Sequence, residues 1–274
     1  MLPSFAPFRI PETDEPLIMQ MVISPQLLNI EPEGVLVTKS TCANAIFHIY
    51  ETSNSYKIFI YTLHETLTGV LISNKDYSKH LLSLFGTELE KCYALNNAVM
   101  FAFTFSGAYH HIILMHASVI AHNDFGYLFL GTSGTGKSTH SQLWLKHISG
   151  SSLLNDDNPA IRILKNGQIE VFGTPWSGKT PCYKNLHFQV RAFVKLEQYR
   201  KNIIYRKPLL QSFASILSST SSMIWDKDSY NLIIKSIELI AQGTSTYHLR
   251  CLPNKAAAEL SYKTIIHPNG KADY

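Results

Sequence analysis

Hydrophobic and polar positions alternate with a period of two over the first quarter of the chain. Ile46, His48 and Tyr50 interleave with Phe47 and Ile49, and Tyr56 to Leu63 is a second aromatic and β-branched run. Pro32-Glu33-Gly34 and Thr52-Ser53-Asn54-Ser55 punctuate these runs, so antiparallel β-structure is expected from about Leu17 to Ser73. Asn74 to about Leu95 reads as a partly helical connection, and Asn96 to Tyr109 as a buried helix. Ile112 to Ala121 and Tyr127 to Leu130 predict two strands meeting at the turn Asn123-Asp124. Ser151 to Leu154 predicts a short strand ending at Asn155-Asp156-Asp157. Ile161 and Ile163 alternate on one side of Asn166-Gly167, Ile169 and Val171 on the other, the signature of a hairpin. Pro208 to Ser218 and Lys227 to Ala241 predict helices, Tyr247 to Cys251 a strand, and Lys255 to Tyr262 a last helix. No internal repeat interrupts this order. The pattern implies a small, mostly antiparallel β lobe over residues 1–90 and an α/β domain with a mixed sheet over residues 91–274.

Composition narrows the class. A chain of 274 residues, 45% hydrophobic and 16% charged, can build one large core or two small ones. The net charge of +4, with no run of like charges, argues against a nucleic-acid or membrane-surface partner. Cys42, Cys92, Cys182 and Cys251 are far apart, which fits reduced thiols better than a zinc site or a disulfide scaffold. Met1 to Ile10 has no basic segment followed by an apolar core, and the most apolar stretch, Ala98 to Tyr109, is too short to span a bilayer. A cytoplasmic location is expected.

The segment Gly131-Thr132-Ser133-Gly134-Thr135-Gly136-Lys137-Ser138-Thr139 changes the picture most. It satisfies G-x-x-x-x-G-K-[ST], a loop whose backbone amides cradle phosphates. Gly131, Gly134 and Gly136 let successive N–H groups turn inward, with Ser133, Thr135 and Thr139 adding donors around the same anion. Lys137 brings a positive charge to the outer phosphates, and Ser138 offers a hydroxyl to a magnesium ion. The apolar Tyr127 to Leu130 precedes the loop. Trp144, Leu145 and Ile148 follow it at helical spacing, so a helix N-terminus adds its dipole to the cradle.

A phosphate loop needs an acidic partner, usually at the end of a neighbouring strand. Asp156 and Asp157 occupy such a position, and two adjacent carboxylates suit a metal ligand and a general base. Taken alone, His116 in its apolar run reads as a core residue, and His110, His111 and His122 lack metal-ligand spacing. Gly173-Thr174-Pro175-Trp176-Ser177-Gly178-Lys179 follows the hairpin; by pattern it is equally a structured turn or a flap over phosphates or acceptor.

The ordered set of His116-Ala117-Ser118, the loop from Gly131 to His140, and Asn155-Asp156-Asp157 resembles the catalytic domain of the HPr kinase/phosphorylase family. That domain is related in fold to phosphoenolpyruvate carboxykinase. The wording of the loop and of Gly173 to Lys179 is similar to bacterial HPr-kinase-related, carboxykinase-like proteins, and the resemblance covers roughly residues 95–265. It implies ATP and Mg²⁺, His116 beside the outer phosphates, Asp156 as metal ligand and Asp157 as base; by pattern, Ser138 is a further metal ligand and Lys179 sits in a segment suited to closing on the phosphates. It also implies a homo-oligomer. The E-[IV]-R-G-x-G stretch of HPr kinases is absent: the equivalent Ile169 to Trp176 has no arginine, so the resemblance does not extend to HPr as substrate or to phosphorolysis. The expected activity is transfer of the γ-phosphate to a hydroxyl-bearing acceptor, a protein serine or a small molecule. The alternatives are a nucleotide-binding regulatory module and, last, a small carboxykinase-like lyase. A lyase needs convergent arginines, whereas Arg162 should face away from the buried side of its strand and Arg191 and Arg200 lie elsewhere.

Overall fold

Thr87 opens a long helix in the first half of the chain. Its hydroxyl accepts the amide of Glu90, and the Glu90 carboxylate accepts the amide of Thr87 at 2.7 Å, a reciprocal cap that fixes where helix begins. In the computed structural model, which describes residues 2–24, 31–42, 44–178, 180–222 and 224–266, the chain divides into two units. The first comprises mainly Pro11–His110 with Met223–Tyr230, so the division falls at the end of this helix.

The first unit holds β1 (Gln20–Ile23), β2 (Val35–Cys42), β3 (Ala45–Glu51), β4 (Ser55–Tyr61), β5 (Leu67–Asn74), β6 (Lys79–Leu84) and α1 (Glu88–Ala108). Sheet order is β1-β6-β5-β4-β3-β2, antiparallel except that β1 runs parallel to β6. The segment expected to be a partly helical connection therefore contributes β6, because neighbours on both edges satisfy its backbone. Phe47, Ile49, Ile58, Ile60, Leu71 and Leu82 meet Phe101 and Phe105 of α1 in one core.

The second unit holds Ser4–Ile10, His111–Ser222 and the chain from Asn231 onward. Its elements are β7 (Ile112–Leu114), β8 (Ala117–His122), β9 (Phe125–Leu130), α2 (Lys137–His147), β10 (Ser152–Asn155), β11 (Ala160–Ile163), β12 (Ile169–Phe172), β13 (His187–Gln198), β14 (Ile203–Arg206), α3 (Leu209–Leu217), α4 (Lys227–Gly243, which begins in the first unit), β15 (Ser245–Cys251) and α5 (Lys255–Ile266). Asn123 and Asp124 both take positive φ, at 47° and 62°, which gives the β8–β9 hairpin the twist of its strands. The mixed sheet runs β10-β8-β9-β13-β12-β11-β7, with β15 parallel to the C-terminal half of β13 and β14 beyond it.

Two departures from the sequence pattern shape this unit. The run Ile112 to Ala121 is broken at Met115 and His116, whose amides leave the strand to bond Pro159 and Ser219 carbonyls. Strand β13, parallel to both β9 and β15, is central to the sheet and no local pattern announced it. Trp144 anchors α2 on the sheet: it is fully buried, its ring lies 5.2 Å from Tyr127 and 5.6 Å from Phe129, and its Nε1 donates to Ser261 of α5 at 2.9 Å. No helix among the described residues is long and apolar enough to cross a membrane.

Candidate active site

The loop between β9 and α2 has the backbone its sequence demands. Gly131, Gly134 and Gly136 take φ of 157°, 82° and 102°, and Gly136 itself is the left-handed N-cap of α2. No side chain caps this helix start, so the first-turn amides remain directed outward. Ser133, Ser138 and Thr139 are exposed and Thr135 is half-buried. From the end of β13, Gln198 Nε2 donates to the Gly134 carbonyl at 3.0 Å and ties the loop to the sheet.

Lys137 is buried, 7% exposed. Its Nζ donates to the Gly131 carbonyl at 2.9 Å and stands 2.8 Å from His116 Nε2. His116 Nδ1 lies 2.9 Å from Asp157 Oδ1. An ammonium only donates, so Nε2 accepts and Nδ1 carries the proton toward Asp157, a tautomer assigned from this network. Burial pulls the Lys137 ammonium below its ordinary value, and the nearby Asp157 and Asp156 oppose that pull. His116 is thus no core residue: its side chain is 42% exposed and joins loop to acid.

The two aspartates occupy different environments. Asp157 is part-exposed. Asp156 is buried, and its Oδ1 accepts from Ser118 Oγ at 2.8 Å, which in turn pairs with Ser141 Oγ at 2.6 Å. Its Oδ2 has no hydrogen-bond partner among the described residues. A buried carboxylate oxygen left in this way suits a cation, and a hydroxyl, a carboxylate and phosphate oxygens together are the donor set magnesium takes. No group of three or more His, Cys, Asp or Glu arranged to hold a metal occurs among the described residues.

Asn155 builds the turn that presents both acids. Its Oδ1 accepts the amides of Asp157 and Asn158 at 2.9 and 3.0 Å, while its Nδ2 donates to Thr174 Oγ1 and the Trp176 carbonyl, both at 3.1 Å. The segment from Gly173 to Gly178 is therefore packed on the acids: a Cβ at Gly178 would stand 3.3 Å from that of Asp157. Trp176 is buried and meets Phe5 edge-to-face at 5.8 Å. Lys179 lies outside the described residues. Arg162, Arg191 and Arg200 are all exposed. Sequence reasoning named Asn155 and Thr174 within their motifs without a role and missed Ser141 and Gln198; the signal for Ser141 was a small hydroxyl one helical turn after Lys137, on the face toward the strands.

No protein-family model matches this sequence, and no curated protein is similar to it. Among solved structures, the Hpr(Ser) kinase/phosphatase from Coxiella burnetii is similar over 57% of this chain and 88% of its own, at 12% identity and a TM-score of 0.33. At that level the similarity carries no functional argument.

Proposed function

We propose that the second unit is an ATP-dependent phosphotransferase, related to the HPr kinases, that moves the γ-phosphoryl group to a hydroxyl acceptor. The observation that carries this reading is the continuous chain Lys137–His116–Asp157 beside a glycine-bent, uncapped helix start. Lys137 leaves the Gly131 carbonyl and turns to the outer phosphates, where loop amides and ammonium stabilise developing charge. Magnesium, held by Ser138 and Asp156, would supply charge neutralisation at the β- and γ-phosphates. Asp157 accepts the acceptor's hydroxyl proton; the new O–P bond forms as the bond to the β-phosphate breaks, and ADP leaves. His116 holds Asp157 in place and couples it to Lys137. Arg191, which shares a pocket with Arg206, lies at the Phe125 end of β9, away from the loop, and Arg162 and Arg200 are exposed, which favours a kinase over a carboxykinase.

The test is incubation with γ-³²P-labelled ATP, magnesium and a lysate split into protein and metabolite fractions. Label moving to one fraction with the wild type and not with Asp157→Asn is the expected result. Nucleotide binding with no transfer would leave a regulatory module, and phosphoenolpyruvate formed from oxaloacetate would make it a lyase.

A further inference from the structure

Two more lysines stand beside the loop, outside the machinery described above. Lys195 of β13 is in register with Leu130, the residue before Gly131. Its neighbours Val194 and Leu196 enter the core under α2 and α5, so by strand alternation Lys195 projects from the opposite face. There its Nζ donates to Ser218 Oγ at 3.3 Å, and the next residue, Ser219, accepts the His116 amide at 2.6 Å. Lys195 and His116 are thus held by adjacent residues of one turn. Lys207 donates to Ser215 Oγ at 2.9 Å, one turn earlier on α3.

Neither lysine forms a salt bridge among the described residues. The nearby carboxylate, Glu197, is committed to His248 and Arg250, each at 3.0 Å. Burial lowers the affinity of Lys195 and Lys207 for their protons; at Lys207 the charge of Lys195 adds to this and Glu197 opposes it. Two half-buried ammonium groups with no ion pair among the described residues offer a place for an anion. Under the kinase reading, the outer phosphates of ATP satisfy Lys137. The other two lie on the His116 side, away from the helix face that packs α2.

We propose that Lys195 and Lys207, backed by Ser218 and Ser215, form a subsite for a carboxylate or phosphate group on the phosphoryl acceptor. The acceptor is then a hydroxylated anion. This rests on the kinase reading of the neighbouring loop.

The probe is inorganic phosphate, titrated calorimetrically into protein saturated with magnesium and a non-hydrolysable ATP analogue. Phosphate is expected to bind the loaded wild type, Lys195→Gln and Lys207→Gln to weaken it about tenfold each, and Lys195→Arg to retain it. Affinity for the ATP analogue stays within about twofold throughout, since these contacts are not made to nucleotide. Circular dichroism checks folding, with Lys195→Met as the variant that keeps the buried stem. Absence of phosphate binding to the loaded wild type, or binding unchanged in both Gln variants, overturns the proposal. So does a parallel loss of ATP-analogue affinity, which would give the lysines to the nucleotide. If the wild type binds no ATP analogue, the kinase reading fails by itself. Phosphate binding to Lys137→Met then decides the subsite: loss on adding Lys195→Gln keeps it, and indifference rejects it.

Discussion

Lys137 Nζ and His116 Nε2 stand 2.8 Å apart, and through the His116–Asp157 contact at 2.9 Å this pair joins the glycine loop to the acidic turn. A loop lysine alone marks an anion site. A loop lysine that reaches a carboxylate through an imidazole links phosphate binding to a proton acceptor, which is what phosphoryl transfer needs.

Replacing His116 by Ala removes the bridge while leaving the core intact, because the side chain is 42% exposed. Transfer is expected to slow by about 10²–10⁴-fold, with the melting temperature nearly unchanged. Steady-state kinetics and a thermal melt on the same sample check this; a large drop in melting temperature with activity retained would return His116 to a structural role.

Asp156→Asn and Asp157→Asn are expected to separate. The first weakens magnesium-dependent nucleotide binding, because it alters the buried carboxylate whose Oδ2 lacks a protein partner. The second leaves nucleotide affinity nearly intact and slows transfer by about 10²–10⁴-fold. Nucleotide affinity and turnover, measured for both variants, distinguish them; equal effects on both quantities would contradict the division of roles.

Much of this site was legible in the sequence, and the reason is local. Tyr127 to Leu130, the glycine loop, and the Asn155 strand end each carry their own signal within a few residues. The hairpin around Asn166-Gly167 did too. What was not legible depends on long-range pairing. Strand β13 is made by parallel neighbours distant in sequence, and its polar positions Arg191, Lys195 and Glu197 mask the apolar face formed by Ala192, Val194 and Leu196. His116 reads as core from its apolar run alone, and the resemblance set it beside the outer phosphates; in the structure its amide turns out of the strand to Ser219.

Burial drives the imidazole of His140 down to about 4, while its Nε2 pairs with Ser261 Oγ at 3.1 Å. The unfolded chain binds that proton from about pH 6.5 downward and the folded chain does not, so stability falls as pH drops from about 6.5 to 4, by an amount on the order of 3 kcal/mol. Denaturant melts across that window are expected to show a shallower pH slope for His140→Phe. An unchanged slope would mean that other groups govern it.

In the first unit, Tyr77 is fully buried and its hydroxyl donates to Asp226 Oδ2 at 2.7 Å. Tyr77→Phe leaves that buried carboxylate short of a donor, and a loss of about 1–3 kcal/mol in urea unfolding is expected. A neutral effect would show that Asp226 is satisfied by the amides of Asp228 and Ser229 alone.

The central claim is that the loop binds the phosphates of a nucleotide through Lys137. Isothermal titration of magnesium-ATP into the wild type and Lys137→Met tests it most directly, since methionine keeps the buried stem and removes the charge. The account predicts saturable binding to the wild type and a loss of at least about tenfold in the variant, with both proteins folded. No binding to the wild type, or equal binding by both, would contradict it.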